Sequence, residues 1–306
     1  MENRRDRRDS KEKKEKRLPA PNDCSVGRWI LAAVMAILVG LVLSVPLNPY
    51  LENTSEFMMG ISYANFFSIV TFIPFFVATI IVLKLVCKTS LKDFVLGVGG
   101  KLDKKMCLIV LGLYAVGFAI PYLLMARHIH LRGVQAGQYC FLLLFVLLTV
   151  WMQTTVEEFL FRGLFFRVLC KNNVGYTKKG IIAAVVSAVV FALFHVPNPE
   201  AASQKGILVV LTIFSYVVSG FVYALADLHF GNLIPGILIH WLNNTLLTTV
   251  ISAEVSVVTM PTLLVESVPY GAVWTLGSTV AAMVPVTFYI IISLIKRKKA
   301  ASASAQ

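Results

Sequence analysis

A succession of apolar runs, each long enough to cross a lipid bilayer, restricts this chain more than any other feature. A hydrocarbon core of about 30 Å takes about 20 helical residues. The runs fall at Trp29–Val45, Phe66–Val86, Met106–Met125, Tyr139–Leu169, Ile181–Val196, Ile207–Ala226, Leu233–Ile251 and Val273–Ile295. The fourth is over-long and the fifth short. Lipid offers the backbone no hydrogen-bond partners, so such runs span as helices. The expected fold is all-α: a polytopic integral membrane helical bundle of about eight transmembrane helices. Composition agrees, with 57% apolar residues, 14% charged and a mean hydropathy of +0.76, where ordinary globular chains carry roughly a quarter charged residues. Pro74, Pro121 and Pro285 lie inside spans and are expected to kink them, which neighbouring helices can tolerate.

A net charge of +12 raises nucleic acid as a partner, but the charges cluster between the apolar runs and at both ends. No groove of basic residues interleaved with aromatics is present, so the lipid bilayer, not nucleic acid, is the expected partner of that charge. Lys and Arg alternate from loop to loop. The N-terminal tail, the second and fourth loops and the C-terminus hold 24, against Arg127, Arg132 and Lys205 in the alternate loops, with Arg162 inside a span. By the positive-inside rule both termini are cytoplasmic, which requires an even number of spans. Residues 1–27 have too little apolar surface to order and read as a basic, disordered cytoplasmic tail. The first run resembles a signal peptide, but its leading region is long and no small-residue cleavage site precedes Pro46, so an uncleaved span is expected. Residues 28–295 form the expected membrane-embedded unit, with residues 296–306 a basic cytoplasmic tail. The five cysteines (Cys24, Cys87, Cys107, Cys140, Cys170) are scattered without a C-x-x-C pair, which indicates neither a disulfide framework nor a thiolate metal site.

Ionisable side chains inside a span are costly and therefore mark candidate sites. In the fourth run Glu157 and Glu158 are adjacent, with Arg162 one turn beyond Glu158. The i,i+4 spacing pairs Arg162 with Glu158 and leaves Glu157, rotated about 100° away, as a candidate general acid or base. A purely structural ion-pair network is the alternative, although two carboxylates against one guanidinium leave an excess charge. In the fifth run Phe191 and His195 share a face; a lone histidine there is more often a satisfied core residue than a catalyst. In the seventh, His240 and Asn244 project together and can hold an oxyanion or simply bond a neighbouring helix; Asn243 reads as packing. At 1.5 Å per residue, Glu157, His195 and Asn244 each sit about 20 Å from the cytoplasmic end of their helices, with His240 a turn shallower. Three helices therefore deliver them to one level. His128, His130 and His229 read as interfacial.

The three motifs, E-E-x-x-x-R, F-x-x-x-H and H-x-x-x-N, occur in order on successive membrane helices as Glu157-Glu158…Arg162, Phe191…His195 and His240…Asn244. In this the chain resembles the CAAX protease and bacteriocin-processing family, which includes the type II CAAX prenyl endopeptidases. Gly231-Asn232-Leu233-Ile234-Pro235 ahead of His240 is similar too. The resemblance covers about residues 139–251, the motif-bearing core. It implies an intramembrane endopeptidase in which Glu157 and His195 activate a water, His240 and Asn244 stabilise the oxyanion, and Glu158 and Arg162 orient the site. The residues admit two chemistries. No cofactor is expected, since there is no H-E-x-x-H and asparagine is a poor zinc ligand; were zinc bound, Glu157, His195 and His240 would be its ligands.

The leading expectation is an endopeptidase in a bacterial plasma (inner) membrane, acting on membrane proteins, peptide precursors or lipidated C-termini. Two alternatives stand beside it: a catalytically silent binding or bacteriocin-immunity protein on the same scaffold, and a membrane transporter using the buried carboxylates.

Overall fold

Three of the long helices begin where a polar side chain satisfies one of the first free amides. In the computed structural model, which describes residues 24–51, 57–59, 61–96, 101–170, 177–202, 204–253, 262–266 and 271–303, Ser25 accepts from Arg28 N at the head of α1 (Val26–Ser44). Asp103 accepts from Met106 N at the head of α3 (Lys104–Leu124), and Thr177 from Gly180 N at the head of α5 (Lys178–Phe194). Residues 1–23 of the expected disordered tail lie outside the described residues.

Between these, α2 (Phe72–Leu85) follows a shorter helix, Tyr63–Val70. The interruption at Thr71 has a local cause: Pro74 has no N–H to give the Val70 carbonyl, and its ring crowds that oxygen. By contrast α3 runs on through Pro121, and α8 (Gly271–Ala303) through Pro285. The remaining long helices are α4 (Ala136–Glu158), α6 (Ile207–Phe230) and α7 (Ile234–Thr249). α6 closes on Gly231 in the left-handed region (φ 71°), which glycine adopts freely. α8 carries helix through the basic C-terminal run as far as Ala303.

A helix thus stands at every predicted span, and the protein is an all-α integral membrane bundle. The count differs. Six helical stretches are long and apolar enough to cross a membrane: Val26–Leu51, Phe66–Leu85, Lys104–Leu124, Ala136–Phe165, Ile207–Phe230 and Val273–Lys296. α5 has 17 residues and α7 has 16, about 24–26 Å of helix, short of the hydrocarbon thickness. The figure of eight is therefore not reached by that measure. The described residues also include five short strands. β1 (Phe57–Met58) pairs with β2 (Ile61–Ser62). β3 (Ile129–Leu131), β4 (Ile251–Ala253) and β5 (Leu264–Glu266) form a sheet in the order β3–β5–β4, with β5 antiparallel to β3 and parallel to β4.

Packing places α7 at the centre, against α4, α6 and α3. α6 also packs on α5 and α8, α3 on α8, and α2 on α1 and α4. Close approach is achieved with small residues, as between membrane helices generally: a Cβ at Gly117 of α3 would lie 2.6 Å from the Ala282 carbonyl of α8. Outward faces such as Ile30, Leu31, Val34, Leu38, Leu41 and Val42 of α1 are exposed, a continuous apolar surface suited to lipid and not to water.

Candidate active site

Glu157 and Glu158 end α4, and the helix there loosens into a π-helical turn, Phe159–Phe165. Such turns break the i→i−4 ladder and frequently occur at functional sites. Ser187 of α5 donates to the Phe161 carbonyl at 2.9 Å, which bonds one carbonyl of the loosened segment across to the next helix. Arg162 lies in the same turn and is fully buried. Its Nη1 donates to Glu158 Oε1 at 3.0 Å and its Nη2 to the Gly220 carbonyl of α6 at 3.0 Å, while the guanidinium carbon sits 4.4 Å from the centre of the Phe191 ring. Glycine at position 220 leaves room for this approach, since a Cβ there would lie 2.8 Å from Arg162 Nη2.

His240 reaches this ion pair from α7. Its Nδ1 lies 2.9 Å from Glu158 Oε1, so one carboxylate oxygen serves both the guanidinium and the imidazole. The opposite ring nitrogen, Nε2, faces Glu157 Oε2 at 3.4 Å. The Tyr223 ring of α6 stacks on His240, centroids 4.8 Å apart and 19° between planes, which fixes the imidazole's tilt. α7 itself is set by Asp227 of α6, whose Oδ1 accepts from Gly236 N at 2.8 Å. That interaction satisfies an amide of the first helical turn from another helix. A Cβ on Gly236 would fall 2.7 Å from the same carboxylate oxygen. Gly236 and His240 are one turn apart, so the anchor acts directly below the histidine.

His195 comes from the end of α5, at its C-cap. Its Nδ1 is 2.7 Å from the Phe191 carbonyl, an oxygen the terminating helix would otherwise leave open. With Nδ1 at that carbonyl, Nε2 is directed at Glu157 Oε2, 3.9 Å away. Phe191, one turn back, separates the two imidazoles, with ring centroids 4.3 Å from His195 and 5.6 Å from His240. Glu157 Oε1 accepts from Gln153 at 3.2 Å, while its Oε2 takes no hydrogen bond among the described residues. That oxygen therefore faces two imidazole nitrogens inside the bundle.

Five of the six candidate residues, Glu157, Glu158, Arg162, His195 and His240, are joined by these contacts. Asn244 lies one turn beyond His240, and its Oδ1 accepts from Asn243 Nδ2 at 2.9 Å. Asn243, expected only to pack, also takes the Tyr114 hydroxyl of α3 at 2.6 Å. His229, in the last turn of α6, is 2% exposed, against Phe230 and Tyr289. Among the described residues, no group of three or more His, Cys, Asp or Glu side chains is arranged to hold a metal ion. Gln153 was findable, one turn before Glu157 in sequence. Gly220, Tyr223, Asp227 and Ser187 act across helices, and no spacing points to them.

No curated protein and no solved structure matches the chain. Residues 139–246 match the family described as type II CAAX prenyl endopeptidase Rce1-like, and that interval contains all six candidate residues. The motif-bearing segment of this membrane protein is therefore similar to a protease family, the type II CAAX prenyl endopeptidase Rce1-like one.

Proposed function

We propose that this protein is an intramembrane endopeptidase that hydrolyses peptide bonds of membrane-associated or lipidated substrates with a water activated by Glu157 and His195. The observation that carries the reading is Glu157 Oε2, set at 3.9 Å from His195 Nε2 and 3.4 Å from His240 Nε2 within the bundle. The longer gap exceeds a direct hydrogen bond, and with His195 Nδ1 donating to the Phe191 carbonyl both of its atoms accept. A water that donates to each suits it. As its oxygen attacks the scissile carbonyl, one O–H bond breaks and the proton passes to Glu157. The carbonyl electrons move onto oxygen, and His240 and Asn244 supply donors to the resulting oxyanion. Collapse breaks the C–N bond, and the proton on Glu157 goes to the leaving amine.

With Nδ1 donating to Glu158, His240 donates from Nε2 as well only when both ring nitrogens carry hydrogen, and the Glu158 carboxylate supports that state. The same state balances charge: two carboxylates against Arg162 and an imidazolium leave no net charge in a low-dielectric setting. Glu158 and Arg162 orient the site in this reading. The mechanism needs no metal. Both termini lie in the cytoplasm of a bacterial plasma membrane, a reading supported by the 24-to-3 bias of Lys and Arg between alternate loops, with residues 28–295 the membrane-embedded unit.

The test compares purified wild type, Glu157→Ala and His240→Ala on a panel of farnesylated and unlipidated peptides, with and without chelator. Cleavage by the wild type and loss in both variants is expected. Cleavage surviving both substitutions removes the site. Loss on chelation, restored by zinc, replaces the metal-free mechanism with one in which Glu157, His195 and His240 are ligands. Wild type inert on every peptide, with substrate flux in proteoliposomes, leaves the transporter; inert in both assays, the silent binding scaffold.

A further inference from the structure

An asparagine serves an oxyanion only when its Nδ2, and not its Oδ1, is turned toward the reacting carbonyl. The two orientations differ by a half-turn about one bond and occupy nearly the same volume, so packing alone discriminates poorly between them. Hydrogen bonds discriminate strongly, because one end of the amide only donates and the other only accepts.

Asn243 and Asn244 are adjacent on α7 and bonded side chain to side chain, Nδ2 of Asn243 donating to Oδ1 of Asn244 at 2.9 Å. The orientation of Asn243 is in turn set from α3, where the Tyr114 hydroxyl donates to its Oδ1 at 2.6 Å. The buried phenol O–H needs an acceptor, which turns Oδ1 of Asn243 toward Tyr114 and its Nδ2 toward Asn244. Asn244 must answer with its oxygen, and both of its own N–H groups are left over. Tyr114 is fully buried and lies outside residues 139–246. Its helix is held beside α7 at their common end, because β3 follows α3, β4 follows α7, and β5 pairs with both. Tyr114 and Asn243 both line a crevice of about 70 Å³ between α3, α7 and α8, which none of the ion-pair residues lines.

We propose that Tyr114 and Asn243 are positioning residues that set which end of the Asn244 amide faces the site. The inference rests on the reading of Asn244 as an oxyanion donor. Without the phenol hydroxyl, Asn243 is free to present Oδ1, and Asn244 then turns its acceptor inward.

A double-mutant cycle tests this on the panel peptide cleaved fastest by wild type. Tyr114→Phe keeps the ring and removes one hydrogen bond, so kcat falls about five-fold with KM unchanged. In an Asn244→Ala background the same substitution has no effect, since no amide remains to orient. Asn243→Ala breaks the relay from its other end, gives the same pattern, and carries the cycle alone if Tyr114→Phe fails to fold. An equal fall in both backgrounds means a structural role and overturns the proposal, as does an unchanged kcat with Asn244 intact. If Asn244→Ala itself leaves kcat unaltered, the oxyanion reading fails, and that result is separable from the first two.

Discussion

Removing the charge of Arg162 is the sharpest test of how the site is held together. The side chain is 0% exposed and makes two 3.0 Å hydrogen bonds, to Glu158 Oε1 and to the Gly220 carbonyl. Arg162→Met retains much of the volume and discards both. Breaking a buried ion pair from one side costs about 3–5 kcal/mol, because the remaining charge stays buried. Glu158 Oε1 keeps His240 Nδ1 at 2.9 Å, so the loss falls near the lower limit, about 3 kcal/mol. The companion variant Glu158→Leu/Arg162→Met removes the stranded carboxylate and recovers most of the stability, since apolar replacement of a buried pair is often neutral. It recovers no peptidase activity, because His240 has lost the acceptor that holds Nδ1. The assay is equilibrium unfolding in mixed detergent micelles, read by circular dichroism, with peptide cleavage measured on the same preparations. Arg162→Met within about 1 kcal/mol of wild type, or a double variant no more stable than the single one, refutes the argument.

Three further outcomes follow from the packing and the charge pattern. Gly236→Ala sets a Cβ 2.7 Å from Asp227 Oδ1, so it should destabilise by about 1–3 kcal/mol and depress kcat by shifting His240; equal activity and stability would disprove the anchor. Ser187→Ala strips the Phe161 carbonyl of its 2.9 Å donor and should cost about 1–3 kcal/mol, measured in the same unfolding assay. A periplasmic-active phosphatase fused to either terminus should remain inactive, whereas green fluorescent protein at either end should fluoresce; opposite behaviour of the two ends would require an odd number of spans.

What was legible in the sequence is what short-range geometry controls. The apolar runs located every long helix, because length and hydropathy suffice when lipid removes the alternatives to helix. The Glu158–Arg162 pair followed from i,i+4 spacing alone. The π-helical turn did not, since it depends on Ser187 and Gly220 accepting the geometry from two other helices. Tyr223 over His240 and Asp227 under Gly236 are contacts between α6 and α7, and nothing in a single chain's periodicity announces them. Asn243 was misread for the same reason: its partner Tyr114 is 129 residues away.

The shortness of two helices and the position of the histidines have one physical origin. α5 and α7 were expected to cross the membrane like the others, yet they hold 17 and 16 residues. A full-length span buries its last carbonyls at the interface, where water satisfies them. A helix that stops early needs a protein partner for those oxygens, and at the end of α5 His195 supplies one by bonding the Phe191 carbonyl with Nδ1. That bond consumes the nitrogen nearest the backbone and turns the other toward Glu157. α7 is short at its beginning as well as its end, and Asp227 of α6 takes up the amide of Gly236 one turn before His240. In both helices the side chain that repairs a helix end stands within one turn of a proposed catalytic nitrogen, or is itself that residue. Lengthening α5 by a turn would satisfy Phe191 within the helix and release Nδ1 of His195. The shortness that keeps α5 and α7 out of the count by length is therefore the feature that lets an imidazole face a buried carboxylate.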